Sequence, residues 1–196
     1  MKVVILGSGD GSNAKAIMKA ALEQQLGDTE IVGVFSDVEN STILEHARSY
    51  NIHSQHLNPG SKKSSISPKE EDIWIQAILE KAPDLVVLAG FMRILQSKFL
   101  SAFKNKIINL HPSLLPSFPG LNSIERAFQK KVKITGCTIH WVNAEVDEGE
   151  IIAQAPVRIM DNDVLDLVER KVHAAEHMLL PWVIRDIALG VIPFNT

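Results

Sequence analysis

Strands and helices alternate along the first half of the chain, and this order constrains the fold more than any other feature of the sequence. The run DLVVLA at residues 84–89 is apolar after its first residue, which is typical of a strand buried on both faces of a parallel sheet. Periodicity predicts further strands at residues 2–6, 30–35, 52–57 and 106–110, and helices at residues 13–25, 42–50 and 69–82. This order predicts a mostly parallel, Rossmann-like α/β sheet with helices on both faces.

The pattern changes after about residue 133. Residues 134–142 and 151–159 predict two strands joined by the turn NAEVDEGE, hence an antiparallel hairpin. Residues 164–190 predict a helix that Pro181 breaks or kinks, and residues 58–68 predict a mobile surface loop. The predicted apolar faces are Ile17, Met18, Ala21 and Leu22 on the first helix, and Ile73, Trp74, Ala77 and Ile78 on the helix at 69–82.

Composition excludes several classes of protein. The single cysteine, Cys137, rules out a disulfide framework within the chain, and its apolar neighbours predict a packed thiol. A formal net charge of −3 gives no reason to expect a nucleic acid or an anionic membrane as partner. The first apolar run is too short for a signal peptide, and no run reaches the ~18 apolar residues of a membrane span. We therefore expect a cytoplasmic protein.

A glycine-rich loop, GSGDGSN at residues 7–13, joins the first strand to the first helix. In open α/β sheets, ligands bind beyond the carboxyl ends of the strands. The backbone amides of Gly11, Ser12 and Asn13 would lie at the positive end of the helix, which suits a single phosphate. The spacing matches neither a GxGxxG dinucleotide loop nor a Walker A loop. A tight turn with Ser12 as the helix cap is the alternative.

The sequence HAAEH at residues 173–177 matches H-x-x-E-H, a pattern that supplies zinc ligands in some metallopeptidases. A catalytic zinc site of this kind needs a third protein ligand, and Asp186 is the only acidic residue after Glu176. We therefore expect no metal here. A polar helix edge, or a site where Glu176 faces a bound cation or amine, are the other interpretations.

The stretch INLHPSLLPSFPG, residues 108–120, ends a core strand in an asparagine and a histidine. Asn109 and His111 alternate along the strand, so both side chains lie on one face. An amide beside an imidazole suits a reaction in which a carbonyl oxygen becomes an oxyanion and protons move at neutral pH. The residues alone indicate a candidate acid–base site. The alternative is that Asn109 and His111 only satisfy backbone groups, and that Asp147 in VDEGE is only a turn residue.

Six segments of the chain occur in the order and spacing of the phosphoribosylglycinamide formyltransferases, which the chain resembles from end to end. They are GSGDGSN, VVLAGFMRIL, INLHPSLLPSFPGLN, GCTIHWV, VDEGEII and AEH. The resemblance implies one formyltransferase domain over residues 1–196, with a nucleotide-binding half at about 1–100 and a folate and catalytic half at about 101–196. It also implies formyl transfer from 10-formyltetrahydrofolate, a co-substrate, to the amine of glycinamide ribonucleotide in purine biosynthesis, without a metal.

The resemblance further implies roles for individual residues. The catalytic residues would be Asn109, His111 and Asp147, with a water between the last two that moves the proton. Residues that bind the ribonucleotide and its phosphate would be Gly11, Ser12, Asn13, His173, Ala174, Ala175 and Glu176. Residues that bind the folate would be Met92, Arg93, Ile94, Leu95, Asn143, Ala144, Glu145 and Val146. Lys69 is the candidate substitute for an arginine that relatives often carry before Pro68.

The chain departs from its relatives at two other positions. Asp10 places an acid beside the proposed phosphate loop, and Glu150 stands where relatives often have proline.

Another formyltransferase or a hydrolase that uses 10-formyltetrahydrofolate is the first alternative. A nicotinamide-dinucleotide module with Asp37 at the end of the second strand is the remote one. Small-molecule substrates are expected, and a homodimer is left open.

Overall fold

The computed structural model describes residues 1–194 and contains a seven-stranded sheet with the order β3-β2-β1-β4-β5-β6-β7. The strands are β1 (Lys2–Leu6), β2 (Glu30–Ser36), β3 (Ser54–His56), β4 (Leu85–Leu88), β5 (Ile107–His111), β6 (Ile134–Trp141) and β7 (Ile151–Arg158). The helices are α1 (Ser12–Leu22), α2 (Thr42–Ser49), α3 (Pro68–Leu79), α4 (Ser97–Ala102), α5 (Ser123–Gln129) and α6 (Leu165–Ala188). Strands β1 to β5 are parallel, and β6 and β7 add an antiparallel hairpin. The predicted fold class is confirmed.

The first strand shows why the central strands are apolar at every position. Val3 and Ile5 of β1 pack into a core with α1, α2 and α6 on one face of the sheet. Val4 and Leu6 pack into a second core with α3 and α4 on the other face. All four side chains are fully buried, and each such burial contributes about 1.5–3 kcal/mol. The two cores hold the strand ends in fixed relative positions.

The predicted apolar faces of two helices are each wrong at one residue. Leu22, the last residue of α1, is 73% exposed, and Ile73 on α3 is 56% exposed. The buried residues of α3 are Glu71, Trp74, Ile75 and Ile78. Glu71 is buried because its Oε1 accepts a hydrogen bond from the amide of Phe99 on α4, at 3.3 Å. Both sets of positions on α3 have helical spacing, so the period alone could not choose between them.

The long C-terminal helix is continuous, so of the two expected effects of Pro181, a break or a kink, the break is wrong. α6 runs for 24 residues through this proline. Proline removes the hydrogen bond to the carbonyl four residues earlier and crowds that carbonyl, and packing against α1, β6 and β7 supports the helix through this position. Neither α6 nor any other helix within residues 1–194 is long and apolar enough to cross a membrane.

The loop at residues 58–68 is only partly at the surface. Its end is buried at Ser65, Ile66 and Ser67. Ser65 pairs with Ile94 in a short parallel bridge, and the Ile94 amide donates to the Ser64 carbonyl at 2.8 Å. The prediction of a surface loop is therefore wrong for these residues, because backbone pairing fastens them beside the segment that follows β4.

Candidate active site

A cavity of about 550 Å³ opens at the carboxyl ends of β4 and β5. This volume is in the range of sites for small molecules and cofactors. The predicted site residues that line it are Met92, Arg93, Ile94, Leu95, Asn109, His111, Asn143, Ala144, Glu145, Val146 and Asp147. Three segments that are far apart in the sequence therefore meet around one space.

His111 and Asp147 are in direct contact in this cavity. His111 Nδ1 lies 3.3 Å from Asp147 Oδ2, and the two side chains are 7% and 8% exposed. The other ring nitrogen, Nε2, donates to the carbonyl oxygen of Phe118 at 3.0 Å. A carboxylate therefore lies beside one ring nitrogen of His111, and the Phe118 carbonyl accepts from the other. The expected water between the two side chains is a wrong prediction, since a 3.3 Å separation leaves no space for one.

The proline-rich loop after β5 holds both of these side chains. Phe118 provides the carbonyl for His111, and the Gly120 amide donates to Asp147 Oδ2 at 2.8 Å. Asp147 itself has a φ of 58°, in the left-handed region, which costs a non-glycine residue about 1–2 kcal/mol. Such conformations cluster at functional sites, where surrounding contacts maintain them. The loop and the turn at residues 143–150 thus fix each other.

Asn109 is oriented by His140, a residue that sequence reasoning missed. The two residues are directly opposite each other in the β5–β6 ladder, and Asn109 Nδ2 lies 3.1 Å from His140 Nε2. His140 Nδ1 donates to the Trp141 carbonyl at 2.9 Å, and burial lowers the pKa of His140, which keeps the ring neutral. His140 Nε2 is then an acceptor, and only the NH₂ group of Asn109 can pair with it. The second N–H of that group is left for an acceptor in the cavity.

The glycine-rich loop ends at Gly11, which is the N-cap of α1. Gly11 has a φ of 72°, no side chain caps the helix, and the helix begins at Ser12. The alternative in which Ser12 is the cap is therefore wrong. The first-turn amides of α1 have no acceptors within the helix, as at any helix start, and they are suited to an anion. Asn13 Nδ2 donates to Glu176 Oε2 at 2.9 Å, which connects the loop to α6.

The HAAEH segment faces this loop from α6. Glu176 is buried, and its Oε2 also accepts a hydrogen bond from His173 Nδ1 at 2.9 Å. This bond raises the pKa of His173. Ala174 is exposed and Ala175 is partly buried. Within residues 1–194, no three His, Cys, Asp or Glu side chains are placed to hold a metal ion together.

Comparison with known proteins places this arrangement in a family. The family model described as Formyl transferase matches residues 1–184. The chain belongs to the formyl transferase family. It is 35% identical to the phosphoribosylglycinamide formyltransferase of Bacillus subtilis, over 95% of this chain and 94% of that protein. It is 37% identical to the enzyme of the same name from Escherichia coli, over 97% of this chain and 88% of that protein.

Solved structures agree with this family assignment. Glycinamide ribonucleotide transformylase 1 from Symbiobacterium toebii superposes with a TM-score of 0.91 at 37% identity, over 97% of this chain and 88% of that one. Phosphoribosylglycinamide formyltransferase from Bacillus halodurans superposes with a TM-score of 0.90 at 37% identity, over 97% of each chain. At 37% identity, these two structures support the family assignment as well as the fold.

Arg93 of this formyl transferase lines the cavity, but its charge is used elsewhere. Its Nε donates to Asp37 Oδ2 at 2.6 Å, and the two side chains are 18% and 2% exposed. Its Nη1 donates to the Lys62 carbonyl at 2.9 Å. Asp37 is therefore committed to Arg93, whereas a dinucleotide-binding module would need that carboxylate for a ribose. The pair fixes the backbone of residues 92–95 along the cavity wall.

Three further positions singled out in the sequence, Lys69, Asp10 and Glu150, do not line the cavity. Lys69 is exposed on the first turn of α3 and does not line the cavity. Asp10 is exposed beside the glycine-rich loop, so solvent screens its charge. The exposed Glu150 provides its backbone carbonyl to the Trp141 amide at 2.9 Å. None of the three contacts the His111–Asp147 pair.

Proposed function

We propose that this formyl transferase moves a formyl group from 10-formyltetrahydrofolate to the amine of glycinamide ribonucleotide, a step of purine biosynthesis. The observation that carries the proposal is the cavity in which Asn109 and the His111–Asp147 pair lie together. Acyl transfer requires a donor for a developing oxyanion and a group that exchanges protons near neutral pH. Relatives named for this reaction match nearly the whole chain.

Asn109 is the proposed oxyanion donor. When the substrate amine attacks the formyl carbon, the carbonyl oxygen gains negative charge. One N–H of Asn109 is held by His140 Nε2, so the amide cannot turn over and present its own oxygen. The other N–H is the proposed donor to the oxyanion. A donor fixed in this way before the reaction costs no reorganisation in the transition state.

His111 and Asp147 form the proposed electrostatic and proton-handling pair. Both ring nitrogens of His111 have partners, so its main contribution before proton transfer is positive charge close to the reaction. Asp147 favours that charge because its carboxylate is buried beside the ring. The attacking amine loses a proton, and the leaving folate nitrogen gains one, so the reaction is balanced.

The two substrates are proposed to occupy neighbouring parts of this edge of the sheet. The phosphate would bind Gly11, Ser12 and Asn13, and the rest of the ribonucleotide would meet residues 173–176. The folate would lie against residues 92–95 and 143–146, where apolar side chains along the cavity wall suit a flat heterocycle. Lys69 could meet only a part of the folate that extends beyond the cavity.

The deciding experiment is an activity assay with both proposed substrates. Loss of the formyl donor should depend on glycinamide ribonucleotide, and one formylated product should form for each donor consumed. Donor loss at the same rate without the ribonucleotide would instead indicate a hydrolase. Transfer only to a different amine would indicate another member of the family. Titration with NADH against a folate analogue tests the dinucleotide alternative.

Partners and location follow as further proposals. Two small molecules are the proposed partners, rather than a nucleic acid or a membrane, which accords with the formal charge of −3. The cytoplasm is the proposed location. A homodimer stays open, and sedimentation equilibrium over a range of protein concentrations would decide it.

The Asn13→Ala variant should weaken binding of the ribonucleotide. The side-chain amide of Asn13 donates one N–H to Glu176 Oε2, and its second N–H is the proposed side-chain donor to the phosphate. Loss of this charge-assisted hydrogen bond of about 1.5–3 kcal/mol should raise the KM for glycinamide ribonucleotide about tenfold or more, with the KM for the folate unchanged. Gly11→Val is a poor test, because a Cβ at Gly11 would lie 2.6 Å from Ile43 Cβ. Asn40→Ala, at an exposed position, is the matched control. Equal effects of Asn13→Ala on both substrates would contradict the assignment.

Exhaustive chelation should leave the activity intact. His173 Nδ1 is bonded to Glu176, and the sequence offers no third ligand for a zinc ion at HAAEH. The measurement is the initial rate after dialysis against a strong chelator, with the metal content checked by mass spectrometry. Activity that disappears and returns with one equivalent of zinc would overturn this expectation.

A further inference from the structure

A buried carboxylate lies immediately behind the glycine-rich loop. Glu176 is 2% exposed, and one of its oxygens, Oε2, accepts two hydrogen bonds of 2.9 Å. The donors are Asn13 Nδ2 on the first turn of α1 and His173 Nδ1 on α6. The imidazole of His173 and the side chain of Asn13 therefore both bond to the same oxygen atom of Glu176.

A buried carboxylate needs a counter-charge, and His173 is the group that can supply it. Burying an unpaired charge is strongly unfavourable. The other titratable groups placed around Glu176 and His173 are Glu169 and His177 on α6 and Cys137 on β6. Burial lowers the pKa of His177, and burial raises the pKa of the Cys137 thiol to about 12, so both are neutral near pH 7. Asn13, the partner from α1, carries no charge.

The same carboxylate creates a conflict for substrate binding. A phosphate at the start of α1 would lie next to Asn13, whose amide is bonded to Glu176. The phosphate and the Glu176 carboxylate are both negative and would lie on either side of Asn13, so they repel each other. Burial of Glu176 limits the screening of this repulsion by solvent. The amides of a helix start favour an anion, but they do not remove a negative charge behind them.

We infer that His173 is a positioning residue for the ribonucleotide: it neutralises Glu176, so that a phosphate can bind at the start of α1 while Glu176 keeps Asn13 in place. The inference rests on the proposed function for the identity of the phosphate. It concerns binding alone, because His173 does not line the cavity that holds Asn109 and His111.

This role makes ribonucleotide binding depend on pH. The bond to Glu176 raises the pKa of His173 above its ordinary value of 6.5. The positive charge is present below the raised pKa and is lost as the pH rises through it. Affinity for the phosphate should therefore fall as the pH increases, whereas affinity for the folate should not.

The test measures binding of ribose 5-phosphate by calorimetry between about pH 7 and about pH 9, where a phosphate monoester stays a dianion because its second pKa is about 6. This probe has no amine, so only the protein and the phosphate are followed. We expect the wild-type affinity to fall about tenfold over this range. His173→Gln should bind about tenfold more weakly near pH 7 and show no pH dependence. His173→Lys, which keeps a positive charge, should bind tightly at both ends of the range.

The double variant His173→Gln/Glu176→Gln separates charge from structure. Removing the carboxylate removes the need for a counter-charge, so the double variant should recover most of the affinity that His173→Gln loses. His53→Gln, at an exposed position before β3, is the control and should match the wild type. Unchanged affinity and pH dependence in His173→Gln, or a double variant as weak as the single one, would overturn the inference.

Kinetics distinguish this inference from the proposed function. With glycinamide ribonucleotide, His173→Gln should raise the KM for that substrate and leave kcat and the folate KM unchanged. A wild-type enzyme that binds ribose 5-phosphate in the expected way but does not formylate glycinamide ribonucleotide would refute the proposed function alone. A wild-type enzyme that formylates normally, with a His173→Gln variant that matches it at every pH, would refute the inference alone.

Discussion

Asn109→Ala should lower kcat by about 10²- to 10³-fold, because it removes a fixed donor to the proposed oxyanion. The dissociation constants of both substrates should change little, since the interaction develops mainly in the transition state. Single-turnover kinetics at saturating concentrations of both substrates, together with direct binding measurements, would separate the two quantities.

The structure also explains why the effect should be specific to Asn109. Its amide is partly buried, and His140 Nε2 holds one of its two N–H groups at 3.1 Å. Asn109→Asp is a useful companion, because it keeps the size but presents an oxygen to His140 and to the oxyanion. It should be at least as damaging as Asn109→Ala. A variant that instead lost substrate binding at unchanged kcat would make Asn109 a binding residue.

Asp147→Asn should lower kcat by about 10²-fold or more. Asparagine keeps the size, and its oxygen can still accept the Gly120 amide that now bonds Asp147 Oδ2 at 2.8 Å. The negative charge beside His111 Nδ1 is lost, and with it the proposed electrostatic support for positive charge near the reacting atoms. Loss of the orienting aspartate costs about 10⁴-fold in a serine protease triad, which shows the possible scale.

Folate affinity can change in the same variant, because residues 143–147 line the cavity. The comparison must therefore use kcat at saturating folate. Asp161→Asn, whose side chain is 88% exposed in the wild type, is the matched control and should behave as the wild type. A kcat within a fewfold of the wild type would show that Asp147 acts only as a turn residue.

The central strands could be predicted from the sequence because their burial leaves a simple pattern. β1 and β4 are apolar at nearly every position, since helices cover both faces of the sheet, and parallel strands separated by helices allow few arrangements. Half-buried elements were less predictable. Ile73 and Glu71 both fit a helical period, and only the amide of Phe99 decides that Glu71 is the buried one.

The sequence by itself determined the fold class and the chemical types available at the sheet edge: an amide and an imidazole that alternate on β5, a glycine-rich helix start and an acidic turn. These are local properties, set by periodicity and by the chemistry of neighbouring residues. The tertiary structure decided which groups are partners. Strand register placed His140 opposite Asn109, and loop contacts turned Arg93 to Asp37 and brought Asp147 to His111. Such pairings depend on distances between segments that are remote in the chain, and no local pattern encodes those distances.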